Sequence, residues 1–169
     1  ASPIQSSLLN GDQETGITLI KMNEGMDSGD ILFQKTLPIE INETFKTLHD
    51  RLSQLSLKIM IEFIESHWKK DQISYSVQNH EAATYCKKIS KPDTEILWTD
   101  SPQTVFHKIK AFSPSPGAFL IFQEKRIKVL EAKMENEKLV LTVLKPEGKS
   151  EMKASDFCLG NPAFRNAIQ

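Results

Sequence analysis

Few cysteines and no long apolar run occur in this chain of 169 residues, and each shortage argues against a class of protein. Its two cysteines, Cys86 and Cys158, cannot form a disulfide framework, and no C-x-x-C motif indicates zinc. The four histidines lack spaced partners, so no metal site is expected. No stretch approaches about 18 consecutive apolar residues, and the opening ASPIQSSLLNG has no signal-peptide pattern. We therefore expect a cytoplasmic protein without membrane segments.

Common catalytic signatures are missing as well: the chain has no P-loop, no G-x-G-x-x-G, no G-x-S-x-G and no H-E-x-x-H. The charges are unevenly distributed. Residues 1–80 contain seven Lys or Arg against eleven Asp or Glu, whereas residues 81–169 contain fourteen against eleven. This asymmetry favours two modules, the second of which meets a polyanion, although ordinary scatter also explains a difference of this size.

Hydrophobic periodicity predicts an α/β arrangement for the first part of the chain. The predicted elements are a helix at Pro3–Asn10, strands at Ile17–Met22 and Ile31–Ile39, and a helix over 43–66 capped by Asn42 or Thr44. The turn-rich NEGMDSGD between the strands predicts a hairpin with a long tip. Because neither the strands nor the one-faced helix can bury its apolar surface alone, we expect further sequence to complete this sheet.

The second part of the chain is predicted to be a small β unit that follows a surface linker. Residues 67–100 are irregular and polar, with a short strand at Ile73–Val77. The later predicted elements are a helix from Ser101 to Phe112, strands at Phe119–Phe122, Ile127–Lys133 and Leu139–Leu144, and a helical turn at Ser155–Leu159. The predicted boundaries are 1–80 for the first domain, 81–100 for the linker and 101–169 for the second domain.

The densest polar cluster lies in the predicted hairpin tip, where Glu24, Asp27, Ser28 and Asp30 are interspersed with glycines. Glycines let the backbone approach a ligand closely, and a carboxylate there can orient a base. The same residues are also what a long hairpin tip requires without any function. Cys86 is a weaker candidate: Lys87 and Lys88 beside it would favour a reactive thiolate, but a lone cysteine in a strand-like TYC is far more often packed.

Specific strings in the first part resemble the formyltransferase superfamily. G-D-Q-E-T-G-I-T at Gly11–Thr18 and G-M-D-S-G-D-I-L at Gly25–Leu32 resemble the second half of its Rossmann-like catalytic domain. Strings in the later part, TYCKKISKPDTEILW, IKAFSPSPGAF, IKVLEAK and LKPEGKSEMKASDF, resemble the linker and the C-terminal OB-like β-barrel of methionyl-tRNA formyltransferases. The resemblance covers nearly the whole chain.

The resemblance implies a transferase that moves a formyl group from 10-formyltetrahydrofolate to the amino group of initiator methionyl-tRNA. Family members use an Asn, a His and an Asp, and the Asp corresponds to Asp27 here. The Asn-x-His motif is absent from these 169 residues. We therefore expect the C-terminal portion of a longer enzyme, inactive alone, monomeric, and located in the bacterial cytoplasm or in an organelle. The loop residues Glu24, Gly25, Met26 and Asp27 are expected to contact the folate, and no metal is implied.

The resemblance also implies that the basic second half binds tRNA. The candidate residues are Lys87, Lys88 and Lys91 in the linker and Lys125, Arg126 and Lys128 in the barrel. The sequence departs from the family at Met134–Lys138, where MENEK replaces a further hairpin, so the barrel is either abbreviated or lacks residues in this sequence. Two alternatives remain open: a sugar-nucleotide N-formyltransferase, and a stand-alone RNA-binding module.

Overall fold

A computed structural model of the chain describes residues 1–70 and 73–167. Its helices are α1 (Pro3–Asn10), α2 (Phe45–Phe63), α3 (Pro102–Phe112), α4 (Ala154–Gly160) and α5 (Pro162–Ala167). Its strands are β1 (Glu14–Ile20), β2 (Ile31–Pro38), β3 (Ala118–Phe122), β4 (Lys125–Glu135), β5 (Lys138–Pro146) and β6 (Met152–Lys153). Short turns of π-helix at Ile64–Trp68 and of 3₁₀-helix at His80–Ala82 and Pro92–Thr94 complete the architecture.

The first strands form the predicted antiparallel hairpin, with Glu14 opposite Pro38 and Ile20 opposite Ile31. The first strand of this hairpin, β1, starts and ends earlier than predicted. Its pairing with β2 begins at Glu14, opposite Pro38, and the loop between the two strands begins at Lys21. The predicted helix over 43–66 is confirmed as α2, which continues into the π turn. Thr44 rather than Asn42 is its cap: its hydroxyl accepts a hydrogen bond from the Thr47 N–H.

The second sheet has four antiparallel strands in the order β3-β4-β5-β6. Asn136 and Glu137, both with positive φ, form a tight turn between β4 and β5. This turn leaves no residues for the additional hairpin at MENEK. Within the described ranges the sheet stays open, with β3 and β6 at its two edges, so the closed OB-like barrel is not observed. Closure would require a further strand to pair with an edge.

The expected linker is not a surface segment along its whole length. Thr94 and Ile96 are 1% and 6% exposed, and the Ile96 N–H donates to the Phe119 carbonyl at 2.6 Å. The end of this segment therefore packs against β3 and belongs to the core. The predicted strand at Ile73–Val77 is wrong, because the described part of this segment pairs only through an isolated bridge between Ile31 and Ser76. Beyond the helical turn predicted at Ser155–Leu159, which is observed as α4, Pro162 begins the additional helix α5.

One hydrophobic core joins the two parts of the chain. Leu8 of α1 is 1% exposed and lies in the same cluster as Ile109 and Phe112 of α3 and Val129 of β4. His107 of α3 makes a hydrogen bond through Nδ1 to the Leu9 carbonyl at 3.1 Å. The two parts of the chain that differ in net charge therefore have a common hydrophobic core. The exact domain boundaries stay a prediction.

The C-terminal half of α2 carries exposed apolar side chains on the side that faces away from this core. Leu57, Met60 and Ile61 lie on this surface, and Ile64 and Trp68 extend it into the π turn. Such a stripe agrees with the expectation that a further layer covers the helix. None of the helices in residues 1–70 and 73–167 has the length and apolarity needed to cross a bilayer.

Candidate active site

The predicted polar cluster forms the tip of the β1–β2 hairpin, which we call the tip loop (residues 21–30). Its base is closed by a hydrogen bond from the Lys21 N–H to the Asp30 carbonyl at 2.8 Å. Gly29 is buried beside this bond, and a Cβ on it would lie 1.8 Å from the Lys21 carbonyl oxygen. The two sides of the loop can approach this closely only because residue 29 has no side chain.

Inside the tip loop, the Asn23 side chain organises the turn. Its Oδ1 accepts hydrogen bonds from the Gly25 N–H at 3.0 Å and the Ser28 hydroxyl at 2.9 Å. Asp27 follows with φ of +54°, a left-handed conformation that few residues other than glycine adopt. The interleaved Asn, Gly and Ser residues thus serve the turn itself, in agreement with the structural interpretation of this cluster.

The four residues expected to contact a folate lie side by side on the exposed edge of the tip loop. Glu24, Gly25, Met26 and Asp27 are all exposed, and the Met26 side chain is 92% exposed. Within the described residues, the Asp27 carboxylate makes no ion pair and no hydrogen bond, with a histidine or otherwise. The loop therefore offers a free carboxylate and an apolar side chain next to each other.

A distant segment supports the tip loop from one side. Ile31 and Ser76 exchange two backbone hydrogen bonds of 2.7 and 2.9 Å. The Gln78 side-chain amide donates to the Asp27 carbonyl at 2.9 Å and to the Gly29 carbonyl at 2.6 Å. This support is not expected from the sequence, in which residues 67–100 are irregular and polar. A separation of 49 to 51 residues between donor and acceptor leaves no periodic signal that would have indicated the contact.

The expected tRNA-binding residues of the linker lie in an exposed segment. Lys87, Lys88 and Lys91 are all exposed, but Lys87 is paired with Asp93 at 2.6 Å. This hydrogen bond from Lys87, together with hydrogen bonds from Ser90, holds the pKa of Asp93 well below its usual range. Lys88 and Lys91 have no ion-pair partner within the described residues.

The three expected cations of β4 do not share one surface. Alternation along the strand puts Arg126 and Lys128 on one face and Lys125 on the other, the face that carries the buried Ile127. The Arg126 guanidinium lies 3.5 Å from the centre of the Phe119 ring. Lys128 donates to the Pro116 carbonyl at 2.9 Å, so both side chains are held in place.

Two further lysines join the face of Arg126 and Lys128. Lys145 of β5 is directly opposite Lys128 in the register, and Lys153 of β6 is opposite Val143. Since Val143 and Lys145 are two residues apart on one strand, all four cations point to the same side of the sheet. We call this set the basic face (Arg126, Lys128, Lys145 and Lys153). Lys145 and Lys153 were not among the residues predicted from the sequence, because only the pairing of the strands brings them beside β4.

The remaining candidates have structural surroundings. Cys86 accepts a hydrogen bond at Sγ from the Ser2 N–H at 3.4 Å. His49 is exposed beside Asp50, with 3.6 Å between Nδ1 and a carboxylate oxygen. His67 stacks on Phe63, with the ring centres 5.7 Å apart. None of these groups lies in the tip loop.

Comparison with known proteins gives two family matches in chain order. Residues 1–64 match the model described as "Formyl transferase", and residues 88–139 match "Formyl transferase, C-terminal domain". Methionyl-tRNA formyltransferase of Kosmotoga olearia is 42% identical over 132 residues, which cover 78% of this chain and 42% of that protein. The chain therefore spans less than half the length of this curated relative.

Solved structures show the same fold. The methionyl-tRNA formyltransferase from Clostridium thermocellum has a TM-score of 0.68 at 22% identity over 86% of this chain and 62% of its own. HypX from Aquifex aeolicus, in complex with tetrahydrofolic acid, has a TM-score of 0.70 at 16% identity over 94% of this chain and 32% of its own. The two consecutive domain matches, together with the relative at 42% identity, show that the chain belongs to the formyl transferase family.

Proposed function

We propose that the chain is the part of a methionyl-tRNA formyltransferase that carries the catalytic aspartate and the tRNA-binding domain. The reaction is transfer of a formyl group from 10-formyltetrahydrofolate to the amino group of initiator methionyl-tRNA during translation initiation. The observation that carries the proposal is the succession of two formyl transferase domain matches in one chain that is 42% identical to a methionyl-tRNA formyltransferase.

In this proposal the catalytic group of the chain is Asp27. An amine that attacks a formyl carbon needs a group that accepts its proton and a donor that stabilises the negative charge on the formyl oxygen. The family's Asn and His would supply these from sequence outside the 169 residues. A carboxylate beside an imidazole favours its protonated form and fixes its orientation, which is the role we assign to Asp27. Its carboxylate is exposed and makes no ion pair within the described residues, so it is available for such a partner.

The residues of the tip loop fit a folate donor. Glu24 and Asp27 present carboxylates, Met26 presents an exposed apolar side chain, and Gly25 leaves the backbone accessible. A pteridine ring offers polar edges and apolar faces, so this combination is suited to hold it. The folate supplies the formyl group, and the loop residues bind and orient it.

For the tRNA we propose the basic face together with the linker lysines Lys87, Lys88 and Lys91. Lys128 and Lys145 lie directly opposite each other on neighbouring strands, and the Lys145 ammonium lies 3.6 Å from a Glu151 carboxylate oxygen. Four cations on one side of the sheet exceed this single ion pair, and phosphate groups would neutralise the excess positive charge. Lys125, a candidate from the sequence, lies on the other side of the sheet. It therefore becomes the control for this surface.

The architecture of the whole protein is part of the same proposal. We infer that β1, β2 and α2 complete a Rossmann-like catalytic domain, because the apolar face of α2 has no covering layer within the described residues. The open four-stranded sheet would then be an abbreviated form of the OB-like domain. We further expect a monomer in the bacterial cytoplasm.

The second candidate function is a sugar-nucleotide N-formyltransferase, and the third is an RNA-binding module without activity. The match to the C-terminal domain favours the tRNA substrate over the sugar nucleotide. The absence of the Asn-x-His motif from residues 1–169 is the observation that favours the module.

The decisive experiment is a formylation assay on the protein as its gene encodes it, with 10-formyltetrahydrofolate and either methionyl-tRNA or an amino-sugar nucleotide. We expect formyl-methionyl-tRNA as the product. Asp27→Asn should lower the turnover about 100-fold or more, since a neutral amide cannot stabilise an imidazolium, while tRNA affinity is unchanged. Turnover of Asp27→Asn close to that of the parent would refute the catalytic assignment, and formylation of the sugar alone would establish the second candidate.

A further inference from the structure

The Gln78 side chain makes hydrogen bonds to the tip loop at two points. Among the described residues, its amide supplies the only side-chain hydrogen bonds that reach the loop from outside it. The acceptors are the carbonyl oxygens of Asp27 and Gly29. A glutamine amide has two N–H donors, so both are used by the loop backbone. This contact therefore acts on the shape of the loop, whatever the loop side chains are.

The conformation of Asp27 explains why such a contact matters. With φ of +54°, Asp27 is in the left-handed region, which is unfavourable for a residue with a side chain. A return to an ordinary negative φ would turn the Asp27 peptide and change the direction of both its carbonyl and its carboxylate. Gln78 binds the carbonyl in the left-handed form at 2.9 Å and thereby favours that form.

Gln78 is itself anchored to the hairpin. Two residues earlier, Ser76 exchanges backbone hydrogen bonds with Ile31, the first residue of β2. In the same segment, the Tyr75 ring lies beneath Lys21, whose Nζ is 4.9 Å from the ring centre. The segment thus holds both ends of the tip loop, and the Gln78 amide starts from a fixed position when it reaches Asp27 and Gly29.

We propose that Gln78 is a positioning residue for catalysis: it selects the left-handed conformation of Asp27 and so sets the direction of the carboxylate. The role in catalysis rests on the proposed function of Asp27. The effect of Gln78 on the loop conformation does not depend on that function, and it can be measured without any substrate.

The test compares three variants. Gln78→Met keeps the approximate length of the side chain and removes both donors, and Gln78→Glu replaces the amide with an acceptor that faces two carbonyl oxygens. The matched control is Gln34→Glu on β2, where an exposed amide donates to the Thr18 hydroxyl at 2.8 Å. The same chemical change is thus made on the same hairpin but away from the tip loop.

The first measurement is hydrogen–deuterium exchange, followed by NMR, of the hydrogen-bonded backbone amides of Lys21 and Gly25, which close and shape the tip loop. Loss of two hydrogen bonds should speed exchange roughly tenfold or more in both Gln78 variants, because closed and open loops then differ less in free energy. Exchange in β1 and β2 and the melting temperature should remain close to those of Gln34→Glu. Unchanged exchange of the loop in Gln78→Met and Gln78→Glu would overturn the inference.

The second measurement is steady-state formylation by the protein as its gene encodes it. We expect kcat to fall about tenfold or more in both Gln78 variants, while the KM for methionyl-tRNA stays that of the parent, because the tRNA surface is elsewhere. A rise in KM alone would refute the positioning role. If the parent shows no formyl transfer, the proposed function fails, and the exchange measurement still decides whether Gln78 fixes the loop.

Discussion

Gly29→Ala is the substitution for which the structure gives the clearest prediction. The new Cβ would lie 1.8 Å from the Lys21 carbonyl oxygen and 2.8 Å from its carbonyl carbon. Both obstructing atoms belong to the backbone, so no change of rotamer relieves the clash. Contacts of Cβ below 3.0 Å essentially never occur, so the two sides of the tip loop must separate by about 1.2 Å.

The separation has a calculable effect on hydrogen bonding. The bond from the Lys21 N–H to the Asp30 carbonyl is 2.8 Å long, and lengthening it by about 1.2 Å takes it beyond hydrogen-bonding distance. The Gln78 bond to the Gly29 carbonyl, 2.6 Å long, is disturbed by the same movement. Loss of these two bonds and the residual strain together should lower the free energy of unfolding by about 2–4 kcal/mol.

Urea denaturation followed by circular dichroism measures this change, and two other glycines serve as controls. Gly148 has a positive φ, +71°, which Gly29 lacks, and a Cβ on it would meet no atom within 4 Å, so Gly148→Ala measures a conformational penalty without a clash. Gly160, in α4, has open space and no positive φ, so Gly160→Ala should leave the stability unchanged or raise it. A free energy of unfolding for Gly29→Ala equal to that of Gly148→Ala would refute the argument from close approach.

Two further predictions concern charge. Neutralising the basic face should weaken tRNA binding and lower the slope of log binding constant against log salt concentration by roughly 0.7–0.9 per lost phosphate contact. Lys125→Gln should change neither the affinity nor the slope. Equal slopes for the parent and the neutralised variant would refute the assignment of this surface to tRNA. The variant combines substitutions to Gln at Arg126, Lys128, Lys145 and Lys153. Burial alone would raise the pKa of Asp100, but hydrogen bonds from Lys108 and the Leu97 N–H outweigh it and lower the pKa. The ionised Asp100 carboxylate therefore stabilises the folded protein above the unfolded-state pKa of about 3.9, and this stabilisation is lost as the pH falls through the pKa of the folded state. Between about pH 5 and pH 3, Asp100→Asn should therefore lose less free energy of unfolding than the parent. Parallel pH profiles of the unfolding free energy would contradict this.

Local sequence patterns were sufficient to predict those parts of the structure that depend on residues close together in the sequence. The helix at Pro3–Asn10 has the predicted bounds, with Gly11 in the left-handed conformation after its last residue. Ser101 and Pro102 begin α3, and the Ser101 hydroxyl accepts from the Thr104 N–H. Capping, turn chemistry and periodicity act over a few residues, so they can be recognised directly in the sequence.

The candidate site was predicted in part. The strings around Gly25–Leu32 indicated the loop that carries Asp27, and the flanking strands correctly predicted a hairpin with this loop at its tip. The support from Gln78 was not predicted, because its two acceptors are backbone carbonyls about 50 residues away. A backbone acceptor is present at every residue, so nothing in the sequence marks the two that Gln78 contacts.

The sequence alone thus specified most of the helices and strands, the tip loop and the family resemblance. The packing of the chain determined which elements share a core and which cations share a face. Leu8 and Phe112 are apolar wherever they pack, but only the fold brings α1 against α3. Likewise, the register of β4 with β5 sets Lys145 opposite Lys128, and strand alternation separates Lys125 from Arg126. Hydrophobic burial is non-directional, so the sequence specifies that these groups are buried or exposed, and only the packed chain specifies their neighbours.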